Sequence, residues 1–141
     1  MKRVLFVAHG RAHPKNNPGF KKLTRQMFES QETTFIDVDP NCMPTYTMDV
    51  TINNVDFFEH QFDYIFIIFA HYSVLESKVF WHNVQGWLKT NGIVHTILPR
   101  VMYEKQEDHI HAHKITKYTG LKTMRKNKYM YRKCQAIILK K

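Results

Sequence analysis

The sequence predicts one three-layer α/β domain over residues 1–141, a mostly parallel β-sheet with helices on both faces and a C-terminal antiparallel hairpin. Three observations carry this expectation. Residues 64–70 (YIFIIFA) are too continuously apolar, β-branched and aromatic for a half-solvated strand, so they read as a strand covered on both faces. Residues 75–88 then place Val79, Phe80, Val84, Trp87 and Leu88 at helical spacing, with Asn91-Gly92 as a left-handed C-cap. Residues 93–98 return as a strand that Pro99 ends, which completes a βαβ unit with a right-handed crossover.

The other elements follow from local chemistry. Residues 4–8 (VLFVA) form a short buried strand running into the turn-rich HGRAHPKNNPG. Phe20, Leu23, Met27 and Phe28 fall on one helical face, so residues 20–28 are expected to be helical. Residues 33–38 are the second strand, ended by Asp39-Pro40, and residues 46–50 a short third strand with no room for a helix before it. Residues 53–60 are expected to hold a helical turn or two, capped by Asn53 or Asn54. Beyond Pro99, residues 104–118 read as a helix that Gly120 stops. Residues 121–124 and 131–139 then read as two strands around a basic turn, RKNK.

Composition narrows the function classes. At 141 residues, 43% hydrophobic and 23% charged, the chain has room for one core, and no run approaches the roughly eighteen apolar residues of a membrane span. His9 breaks the apolar run of MKRVLFVAHG after five residues, so it reads as a strand of a cytoplasmic protein rather than a signal peptide. Cys42 and Cys134, without a CxxC, indicate neither a disulfide framework nor a cysteine-rich zinc site. Net charge is +9, and after Asp108 the chain carries ten of its 21 basic residues and no acid. That surface suits a polyanion, nucleic acid first; a merely solvated basic face is the plain alternative. The wealth of Lys, Asn, Ile, Tyr and Phe suits an AT-rich coding genome, such as a virus, whose protein would work in host cytoplasm.

The element order, together with Phe62-Asp63-Tyr64-Ile65 and the run Trp87-Leu88-Lys89-Thr90-Asn91-Gly92 before a further strand, resembles the class I (Rossmann-like) S-adenosylmethionine-dependent methyltransferases. The resemblance covers essentially the whole chain, the hairpin standing for the family's reversed sixth and seventh strands. It implies that S-adenosylmethionine is the cofactor. The family's acid-x-Gly-x-Gly-x-Gly loop falls on Phe6-Val7-Ala8-His9-Gly10-Arg11-Ala12, where small residues persist at Ala8, Gly10 and Ala12, and Phe6 replaces the acid. Asp37, in FIDVDP, matches the carboxylate that accepts both ribose hydroxyls, and Asp49, in MDV, the acid that contacts the adenine amino group. Asp37 as part of a strand-ending turn and Asp49 as an ordinary loop acid are the structural alternatives.

The end of the fourth strand, Phe69-Ala70-His71-Tyr72-Ser73, is where the family places residues near the transferred methyl group. Phe69 and His9 join the cofactor residues, and His71 and Tyr72 are the candidate catalytic pair, His71 as a general base; cleft packing is the plain alternative for both. No Asn/Asp-Pro-Pro-Tyr/Phe sequence is present. His109, His111 and His113 would fan around a helix, so no metal site is expected. Lys122, Arg125, Lys126, Lys128, Arg132 and Lys133, interleaved with Tyr129 and Tyr131, form the candidate nucleic-acid-binding surface.

These residues imply a methyltransferase of undetermined acceptor, nucleic acid included. The alternative is a pseudomethyltransferase that kept the fold and serves as a nucleic-acid- or protein-binding subunit. Beginning at its first strand, the chain implies an open cleft, to be completed by residues 101–113, a second copy or another protein.

Overall fold

The structure, a computed structural model, describes residues 2–8, 32–68, 70–98, 119–128 and 135–141. The expected helices at 20–28 and 104–118, the histidine cluster and the proposed lid at 101–113 lie outside them. Strands β1 (Arg3–Val7), β2 (Glu32–Asp37), β3 (Tyr46–Thr47), β4 (Phe62–Ile68), β5 (Leu88–Leu98), β6 (Lys122–Lys128) and β7 (Gln135–Lys140) form one sheet in the order β3-β2-β1-β4-β5-β7-β6. All pairings from β3 to β5 are parallel, while β7 is antiparallel to both β5 and β6. Only β7 is therefore reversed, and β6 runs in the direction of β5, a correction to the expected pair of reversed strands.

Alternation along the strands sends Leu5, Val7, Ile65, Ile67 and Val94 to one face, where helix α2 (Lys78–Trp87) covers them. Its buried residues Phe80, Trp81, Val84 and Trp87 are the core-facing stripe. Fully burying side chains of this size contributes about 1.5–3 kcal/mol each. On the opposite face Phe6 stacks on Phe35 (5.2 Å) and Phe66 (5.0 Å), and Phe66 on His95 (4.8 Å), a row across four strands fixed by the register.

Several expected boundaries move for local reasons. The helix expected over 75–88 is divided into α1 (Tyr72–Leu75) and α2, because Ser77 takes an extended conformation and its Oγ caps the Phe80 amide. α2 ends at Trp87, and Asn91-Gly92 is not its C-cap. Asn91 is left-handed (φ 65°) inside β5, at a bulge where residues 89–92 face the single Asp63. Gly92 is needed there for close approach, since a Cβ would sit 2.8 Å from the Lys89 carbonyl oxygen. β3 stops at Thr47. Residues 53–60 form turns, not a helix, because side chains of α2 take their backbone groups: Asn83 and Trp87 bond to Asn53 and Val55. The RKNK run is not a turn; it is strand, with Arg125 opposite Ile138 and Lys128 opposite Gln135.

Asp63 ties three strands together at the base of the sheet, accepting from the Arg3 amide (2.8 Å) and the Lys89 ammonium (2.9 Å). Burial pushes its carboxyl up, but the Arg3 amide and the Lys89 and Lys2 charges outweigh this and hold it below its ordinary 3.8. A depressed carboxyl stabilises the fold above that ordinary value and loses its contribution as pH falls through the folded-state value. Asp63→Asn is thus expected to cost about 1 kcal/mol at neutral pH. Urea unfolding of both proteins should show this difference vanishing in acid.

Candidate functional site

The parallel strands all end on one rim, and the strand order reverses between β1 and β4, the place where open α/β sheets bind ligands. A cavity of about 240 Å³ opens there. Its walls come from the end of β1 (Ala8), the end of β2 (Ile36, Asp37, Val38), the turn after β3 (Met48–Thr51) and α1 (Ser73, Val74). Three residues expected to hold cofactor, Ala8, Asp37 and Asp49, thus share one cavity although the sequence separates them by up to 41 positions.

Local geometry sets each of them. Ala8 adopts φ 50°, a left-handed conformation that costs an L-residue about 1 kcal/mol, while its amide bonds to the Ile36 carbonyl (2.9 Å). The chain is thereby turned sharply out of β1 without a bulky side chain at the cavity wall. Asp37 is buried, and its Oδ1 accepts the Asp39 amide (2.9 Å), the strand-ending turn foreseen as its structural role. Asp49 accepts the Thr51 amide (2.9 Å) and hydroxyl (2.6 Å) through Oδ1 alone. Among the described residues two carboxylates and no cation line the cavity, which suits donors such as hydroxyls and amino groups.

His71 and Tyr72 are placed differently. Tyr72 opens α1. His71 precedes it, and its Nδ1 accepts the Ser73 amide (3.2 Å) and lies 2.8 Å from Ser73 Oγ. An N–H can only donate, so Nδ1 is the unprotonated nitrogen and the neutral ring carries its proton on Nε2. Ser73, not His71, lines the cavity. Phe6, at the position of the family's acid, is 1% exposed within the aromatic row and does not line the cavity. His9, Gly10, Ala12 and Phe69 lie outside the described residues.

Residue-level reading gave no role to Ile36, Val38, Met48, Val50, Thr51 or Val74, and named Ser73 only within the stretch near the transferred methyl group, because cavity walls are assembled from loops whose paths depend on the whole sheet. It also missed Asn83. This side chain is 3% exposed, accepts the Val55 amide (2.9 Å) and donates to the Val50 (3.0 Å) and Asn53 (2.7 Å) carbonyls, fixing the loop that follows Asp49. The available signal was an Asn at a core position of the Phe80, Val84, Trp87 stripe.

Of the cationic surface, Lys122 is exposed at the start of β6, and Arg125, Lys126 and Lys128 lie along that strand. Arg132 and Lys133 lie outside the described residues. Among the described residues β6 pairs only with β7, so its other side is a sheet edge. Among the described residues no helix is long and apolar enough to cross a membrane, and no group of three or more His, Cys, Asp and Glu could hold a metal.

No protein-family model and no curated protein matches the chain. Solved structures match its shape. A SAM-dependent methyltransferase from Aquifex aeolicus superposes with a TM-score of 0.71 at 15% identity, over 99% of this chain and 81% of that one. A variant of the 16S rRNA (adenine(1408)-N(1))-methyltransferase from Catenulisporales acidiphilia gives 0.72 at 6% identity, over 99% and 84%. An S-adenosylmethionine-dependent methyltransferase from Mesorhizobium loti gives 0.67 at 9%, over 99% and 91%. Similarity of this extent at such low identity establishes a shared fold.

Proposed function

We propose that this chain, which has the class I methyltransferase fold, binds S-adenosylmethionine in the cavity at the β1/β4 rim and transfers its methyl group to a nucleic acid. The observation that carries the reading is the cavity shared by Ala8, Asp37 and Asp49. Asp37 would accept the ribose hydroxyls, Asp49 the adenine amino group through the oxygen that Thr51 leaves, and Ala8 would admit the cofactor close to the backbone. His9, Gly10, Ala12 and Phe69 are proposed to complete the site. When bound, S-adenosylmethionine supplies a methyl group activated on a sulfonium. His71 would donate from Nε2 and orient the acceptor beside Tyr72, and the acceptor's proton would pass to solvent. Positioning dominates such a transfer, so a strong base is not required. The β6 cations Lys122, Arg125, Lys126 and Lys128 would hold phosphates four strand spacings from β1, about 19 Å away, and Arg132 and Lys133 are proposed to share that role.

A second reading, a cofactor-free relative that uses the fold for binding, is favoured by Phe6, an apolar side chain where the family carries an acid. One experiment separates them. Calorimetric titration with S-adenosylmethionine and S-adenosylhomocysteine is expected to give micromolar binding, about −8 kcal/mol. Asp37→Asn, which keeps an acceptor for the Asp39 amide, should weaken it about 10- to 100-fold. Labelled methyl should then enter RNA or DNA oligonucleotides in low salt. No heat at millimolar ligand would leave the binding-protein reading.

A further inference from the structure

One register level of the sheet sets two lysines side by side. Across β1, β4, β5, β7 and β6 the pairs run Val4–Tyr64, Tyr64–Ile93, Ile93–Lys140 and Lys140–Lys122, so these side chains share one face. It is the face of the Phe6, Phe66 and His95 row, two residues further along each strand. Lys141, just beyond β7, goes to the other face. Its amide donates to the Gly92 carbonyl (3.1 Å) and its ammonium to the Gln85 (2.6 Å) and Leu88 (3.0 Å) carbonyls at the end of α2.

Like charges directly opposite on a sheet are destabilising. No nearby acid offsets this pair: the chain carries none after Asp108, and Asp63, beside Tyr64, is engaged by the Arg3 amide and the Lys89 ammonium. Lys2, at the same end of the sheet, is engaged as well, donating to the Tyr64 hydroxyl (3.0 Å) and lying 5.0 Å over its ring. Guarding an open edge explains a lysine on β6, an edge strand among the described residues. It does not explain one on β7, which is paired on both sides. Lys140 is half-buried there, between Ile93 and the exposed Lys122.

We propose that Lys140 and Lys122 together clamp one phosphate of a nucleic acid at the end of the sheet opposite the cofactor rim. A phosphate between two ammoniums turns their repulsion into two charge-assisted contacts. The inference rests on the nucleic-acid part of the reading above. It adds a binding residue, Lys140, and a path along β6 from Lys128 at the rim to Lys122 at the far end, about 20 Å.

Fluorescence anisotropy with a labelled single-stranded RNA of about 16 nucleotides, without S-adenosylmethionine, tests it. Wild type should bind with an affinity that falls steeply with salt. Lys140→Gln should weaken binding about 3- to 10-fold at low salt and flatten the slope of log affinity on log salt by about 0.7. Lys140→Glu should weaken it further yet raise the urea midpoint above wild type, because an acid then faces Lys122. Opposite movements of binding and stability cannot come from a damaged fold. Lys2→Gln removes an equal charge from an ammonium already engaged by Tyr64, and should change affinity less than about twofold. Unchanged affinity in Lys140→Gln, an equal loss in Lys2→Gln, or a lower urea midpoint in Lys140→Glu would each overturn the clamp while leaving nucleic-acid binding in place. A wild type that binds no RNA, or binds anionic lipid vesicles instead, would overturn the nucleic-acid reading with it.

Discussion

Asn83→Ala is expected to destabilise the protein by about 3 kcal/mol and to weaken S-adenosylmethionine binding about tenfold. The side chain is buried and makes three hydrogen bonds to the backbone of residues 50–55. Alanine leaves the Val55 amide and the Val50 and Asn53 carbonyls without those partners, and stranding a buried polar group costs about 1–3 kcal/mol. That loop follows Asp49 and includes Thr51, whose amide and hydroxyl hold the Asp49 carboxylate and whose carbonyl accepts from Ser77 Oγ (2.7 Å). Loosening it should release Asp49, so stability and affinity fall together. Asn83→Asp would restore only the acceptor for Val55 and should rescue little. Urea midpoints and calorimetric titration, run at a temperature where the variant is folded, test both parts. A loss below about 1 kcal/mol would mean that the loop is held by other contacts.

Trp87→Ala is expected to have the largest effect on stability. Trp87 is 1% exposed, packs edge to face on Phe58 at 5.8 Å, and donates its indole N–H to the Val55 carbonyl (2.7 Å). Truncating a buried Trp costs about 3–5 kcal/mol, and the abandoned carbonyl adds about 1 kcal/mol more. Against a total of roughly 5–15 kcal/mol, this leaves a domain largely unfolded at 37 °C. Trp87→Phe keeps most of the apolar volume and loses only the donor, so it should cost about 1–2 kcal/mol. Thermal melts of the three proteins should rank in that order. Equal losses for Ala and Phe would assign the effect to the hydrogen bond rather than to packing.

The elements read most directly were those whose burial depends on sequence alone. Residues 64–70 announced a doubly covered strand, and β4 is that strand, shifted two residues toward the N-terminus. Phe80, Val84 and Trp87 announced the core stripe of α2. The mostly parallel order and the C-terminal hairpin followed from the alternation of strands and helices, and the sheet has that arrangement. Asn91 was legible as a left-handed residue, but its place was not, because a left-handed residue serves a helix cap or a strand bulge equally well. RKNK was read as a turn on polarity, yet pairing with the apolar strand β7 keeps it extended.

The sequence by itself determined the fold class, the charge polarity and the residue types available at the strand ends, since these depend on hydrophobic patterning and on the chemistry of each side chain. Only the tertiary structure decided which of those residues meet. Ala8, Asp37 and Asp49 share a cavity because β2 pairs with β1 in a register that ends both strands on one rim. His71 turns Nδ1 to Ser73, Phe6 joins an aromatic row, and residues 53–60 bond to α2 rather than to themselves. The physical reason is the same in each case: a side chain's partner is chosen by the strand or helix beside it, and neighbours in space are set by sheet order and register, which local sequence does not encode.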